Sequence, residues 1–75
     1  MALPQAVTES HAAYHAAVQA DEAWHAELVH LFGKKAGDVR YTSAGRGEPG
    51  SRLNMLYLAF QEASERQRVA AENLR

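Results

Sequence analysis

Seventy-five residues, 47% of them apolar and 23% charged, with a net charge of −1, describe one small domain. The chain has no cysteine, which excludes a disulfide framework and suits a reducing compartment. No apolar run approaches the ~18 residues of a membrane span, and the N-terminus lacks the basic flank and compact apolar run of a secretory signal, so a soluble cytoplasmic protein without membrane contact is expected.

The first predicted element runs from about residue 4 to residue 32. Pro4 suits the first position of a helix, where its missing N–H costs nothing, and Gly33 stands where a left-handed residue ends one. At about 100° per residue Val7, Tyr14, Ala17, Val18, Trp24, Leu28, Leu31 and Phe32 share one face, the pattern of an amphipathic helix. Asp21 interrupts that face between Val18 and Trp24, with His25 one turn on. A carboxylate among apolar neighbours needs a partner, so Asp21 and His25 are read as a buried polar pair that fixes register, in preference to a proton-exchanging or metal-holding pair. Glu22-Ala-Trp-His25 has the Glu-x-x-His spacing of di-metal carboxylate bundles. Glu22 and the complementary Glu62 nevertheless lie well off their apolar stripes. His11 and His15 are one turn apart, while His25 and His30 are displaced from them. No metal and no cofactor are therefore expected.

Residues 33–50 form a long connection that contains all five glycines. Helix-to-helix links commonly need about 2–8 residues, so its length asks for a role. From residue 33 to 52, Lys34, Lys35, Arg40, Arg46 and Arg52 stand against Asp38 and Glu48, net +3, which leaves −4 on the rest. Val39 and Tyr41 alternate with Arg40 and Thr42, predicting a partly extended stretch whose two apolar side chains fold onto the helices. Lys34, Lys35, Arg40, Tyr41, Arg46 and Arg52 are the candidate contact residues, for an acidic protein surface or for phosphates with Tyr41 stacking on a base. The acidic remainder disfavours a long phosphate backbone. Gly33-Lys34-Lys35 lacks the order of a phosphate loop, and no helix-turn-helix, zinc-finger or RNA-binding signature occurs.

The last element is predicted from about residue 51 to residue 75. Ser51 is a suitable N-cap, although Asn54 replaces the Glu or Gln that would complete a capping box. Leu53, Leu56, Tyr57, Phe60, Ala63, Ser64, Gln67, Ala70, Ala71 and Leu74 make its stripe. Folded back antiparallel, large residues meet large ones beside the connection and alanines meet alanines at the open end. Fifteen of the apolar residues are alanine, so such a seam buries little area. Met55, Leu58 and Val69 lie on another side of this helix and are read as a dimer surface. The expected fold is therefore all-α: a single domain, residues 1–75, forming an antiparallel helical hairpin with a long Gly-rich connection and dimerising into a four-helix bundle. The expected function is that of a small non-enzymatic adaptor or regulator, working as a homodimer on a partner with an acidic surface. Nucleic-acid binding through the connection ranks second and a metal-binding bundle third. No Ser/His/Asp arrangement supports catalysis.

Overall fold

The computed structural model describes residues 4–74. Two long helices carry the chain, α1 (Pro4–Phe32) and α3 (Arg52–Glu72), with a four-residue helix α2 (Ala36–Val39) between them. No strand occurs among the described residues. Residue 75, included in the expected last helix, lies outside them.

Local chemistry sets the boundaries. α1 stops at Phe32 because Gly33 takes φ 58°, a left-handed conformation that side chains resist. α3 starts where Ser51, with extended dihedrals, accepts the Asn54 backbone N–H on its Oγ at 3.1 Å. The cap works without the glutamate of a capping box.

The long helices run antiparallel, as their ion pairs record: Glu27 near the end of α1 meets Arg52 at the start of α3 (2.9 Å), and Glu9 meets Arg66 towards the other end (2.7 Å). Trp24, Leu28, Ala36 and Leu53 form the buried centre, with Phe32, Val39, Leu56, Tyr57 and Phe60 packed around them. Phe60 stacks on the Trp24 ring at 5.0 Å between centroids, and Tyr57 tilts against it at 5.3 Å. Beyond this cluster the buried residues of the two long helices, among those described, are Ala13, Ala17 and Ala70. The expected division into a large-residue end and an alanine end is present.

Four large apolar members of the expected stripes are not in the core, Leu74 among them at 38% exposed. Val7, Tyr14 and Leu31 are 40%, 54% and 53% exposed. Tyr14 and Val7 sit roughly 80–100° round α1 from Trp24, on a flank that a single partner helix cannot reach. Leu31 borders an open cleft instead of a packed neighbour.

The connection is more ordered than a glycine-rich link. A 3₁₀ turn at Gly33–Lys35 leads into α2, and a second spans Ser43–Arg46. The predicted extended stretch is corrected here, because the backbone stays helical through Arg40. In a helix, residues two apart diverge by about 200°. Val39 therefore packs on the core while Tyr41 is 83% exposed.

The molecule measures 45 × 23 × 16 Å, with a radius of gyration of 14.4 Å; a compact chain of this length would have about 11 Å. Its surface of 5517 Å² likewise exceeds the ~4,600 Å² of a typical compact monomer of this mass. Two helices and a folded connection do not close around a core.

Candidate functional site

Arg40 organises the connection. Its guanidinium pairs with the Asp21 carboxylate and lies 4.6 Å from the Trp24 ring centroid, 5.5 Å from that of Phe60 and 6.0 Å from that of Tyr41. The Arg40 side chain is only 19% exposed. Trp24 in turn donates its indole N–H to the Gly45 carbonyl at 2.9 Å, a buried bond that pins the second 3₁₀ turn. Gly45 is buried, and a Cβ there would stand 2.5 Å from the Val39 carbonyl oxygen, so the turn packs this closely only with glycine. Asn54 adds a bond from its Nδ2 to the Arg46 carbonyl (3.1 Å), tying the same turn to α3.

This arrangement corrects two expectations. Asp21 does not pair with His25: its partner is Arg40, and His25 is exposed. A guanidinium supplies a permanent positive charge for the carboxylate and a planar face for the adjacent indole. Nor are all the connection's cations available. Arg40 is engaged by Asp21, and Arg52 pairs with Glu27. Lys34, Lys35 and Arg46 remain exposed with no ion pair among the described residues. Together with Tyr41 they are the open part of the expected contact set, although Arg46 also lies 5.8 Å from the Tyr57 ring.

A cleft of about 610 Å³ opens between the end of α1, the second 3₁₀ turn and the start of α3. Leu31, Phe32, Ala44 and Leu53 supply apolar walls; Glu27, Glu48 and Arg52 are the charged residues that line it. The Glu27 side chain is 11% exposed, whereas that of its partner Arg52 is 80% exposed. Sequence reasoning missed this cleft because it forms only when Ser43 and Ala44 are folded back beside Leu31. The visible signal was Leu31, an apolar residue placed too late on α1 to find α3.

Met55, Leu58 and Val69, the expected dimer surface, are 65%, 51% and 43% exposed. They lie on the side of α3 turned away from Leu53 and Phe60. Val29, at 47% exposed, adds to Val7 and Tyr14 on the α1 flank. Among the described residues no three His, Asp or Glu side chains converge as a metal site. No helix among them is long and apolar enough to cross a membrane. Comparison of the chain with family models, curated proteins and solved structures finds no match.

Proposed function

We propose that the protein is a small non-enzymatic adaptor or regulator that works in the cytoplasm as a homodimer, by contact with another protein. The observation that carries this reading is the surplus of uncovered surface on a thin core. Among the described residues, Trp24, Leu28 and Leu53 are the only buried apolar ones larger than alanine. The chain exposes about 900 Å² more than a compact monomer of its mass. One partner in a standard interface covers about 800 Å². Met55, Leu58 and Val69 on α3, with Val7, Tyr14 and Val29 on the α1 flank, supply apolar area for such an interface, the second seam of a four-helix bundle. Lys34, Lys35, Tyr41 and Arg46 are left to meet an acidic partner.

Light scattering at micromolar concentration tests the first half. A mass of twice the chain's 8.3 kDa is expected, and Leu58→Glu should dissociate it while Glu62→Lys does not. A cooperatively folded monomer would refute it. The second half is tested by replacing Lys34, Lys35, Tyr41 and Arg46 with alanine, which should abolish capture of the partner without changing the mass. Retention of DNA or RNA that falls steeply with salt and disappears in the same variant would instead assign the connection to nucleic acid.

A further inference from the structure

We propose that the cleft beside Leu31 is a binding site for a small amphiphilic cation, an alkylammonium whose chain lies on the apolar walls and whose ammonium group takes the Glu27 carboxylate. The cleft's ~610 Å³ falls within the range of small-molecule sites. Leu31, 53% exposed, gives it an apolar surface, which the edges of Phe32 and Leu53 adjoin.

The polarity of the ligand follows from the asymmetry of one ion pair. Glu27 is enclosed to 11% exposure and needs a cation there, while Arg52 keeps 80% of its side chain in water. An arginine so well solvated stays hydrated when it swings away, and a ligand cation that takes its place keeps the enclosed carboxylate paired. An ammonium group held at Glu27 by a buried alkyl chain would sit in a drier setting, where the same attraction is stronger. Glu48 places a second carboxylate on the lining, and Arg52 is the one cation among the described residues that form it. A carboxylate-headed ligand would therefore face two like charges. The other basic residues of the connection, Lys34, Lys35, Arg40 and Arg46, do not line the cleft. Met55, Leu58 and Val69 do not line it either, so the site is independent of the proposed dimer surface.

The experiment is a ¹⁵N NMR titration of the full chain with hexylammonium chloride, compared with 1-hexanol and sodium hexanoate at matched ionic strength. Saturable shifts centred on Leu31, Phe32, Ala44 and Leu53 are expected with hexylammonium. Its affinity should exceed that of hexanol by about tenfold, the worth of one charge-assisted hydrogen bond. Hexanoate should give no saturable response. Glu27→Gln should bring hexylammonium down to the level of hexanol, and Arg52→Ala should leave its binding intact or strengthen it. Equal binding of hexanol and hexylammonium by the unaltered chain would overturn the proposal, as would preferential binding of hexanoate. It also falls if none of the probes saturates, or if the cleft resonances move with protein concentration alone, which would mean that a second copy fills it.

Discussion

Arg40 shows how much one side chain can decide in a chain this small. It neutralises Asp21, covers Trp24 and holds the connection against the helices, and its removal should act on all three. Arg40→Ala is expected to destabilise the fold by about 1–3 kcal/mol, because it removes a charge-assisted hydrogen bond and a cation–π interaction together. Arg40→Lys should recover less than half, because an ammonium group lacks the planar face. Urea unfolding followed by circular dichroism at fixed protein concentration measures both. Gly45 offers a steric counterpart. Its added Cβ would meet backbone, 2.5 Å from the Val39 oxygen and 3.0 Å from the Arg40 Cα, so Gly45→Ala must displace the turn and strain the bond from Trp24. A loss of about 1–3 kcal/mol is expected. At Gly37, within α2, a Cβ meets nothing within 4 Å. Gly37→Ala should therefore be neutral or stabilise by up to ~1 kcal/mol.

At the scale of elements, the long helices were legible and the connection was not. Period, Pro4, Gly33 and Ser51 mark α1 and α3 with boundaries within a few residues of those observed, because helix ends are set by local backbone chemistry. The connection folds through partners distant in sequence, Arg40 with Asp21 and Gly45 with Trp24, and no local pattern announces them. Alternation of Val39 and Tyr41 imitated a strand where a single helical turn forms. The candidate site suffered the same way: the sequence marked the cations but not which of them the helices would claim. Exposed ion pairs also link the two long helices, as Glu9 with Arg66, and brace α3 along its length, as Glu65 with Arg68. The Glu9 carboxyl lies below its ordinary value of 4.5 through the hydrogen bond and charge of Arg66, and that of Glu65 is lowered by its hydrogen bond from Arg68. A carboxyl lowered in the folded state adds stability that is present above its ordinary value and is lost as pH falls through the lowered one. Stability should therefore decline on acidification below about pH 4.5. Glu9→Gln or Glu65→Gln should shallow that decline, and high salt should do so too, since both pairs are exposed. An unaltered pH profile in both variants would remove these pairs as a cause.

The whole molecule is a narrow seam with a weighted end. Aromatic packing and the folded connection gather near Trp24, whereas the opposite end is held by alanines and by the pair between Glu9 and Arg66. Stability should be distributed as unevenly as the packing, with the free ends opening first and the Trp24 cluster last. Trp24 is the only tryptophan of the chain, and it lies beneath the part of the connection that closes over the helices like a lid. Its indole is dry, stacked and hydrogen-bonded when Arg40 and Gly45 are seated, and would meet water as soon as they leave. The protein thus contains its own optical gauge: emission should be blue-shifted in the native state, and should move to the red when the connection lifts, even while both long helices keep their ellipticity.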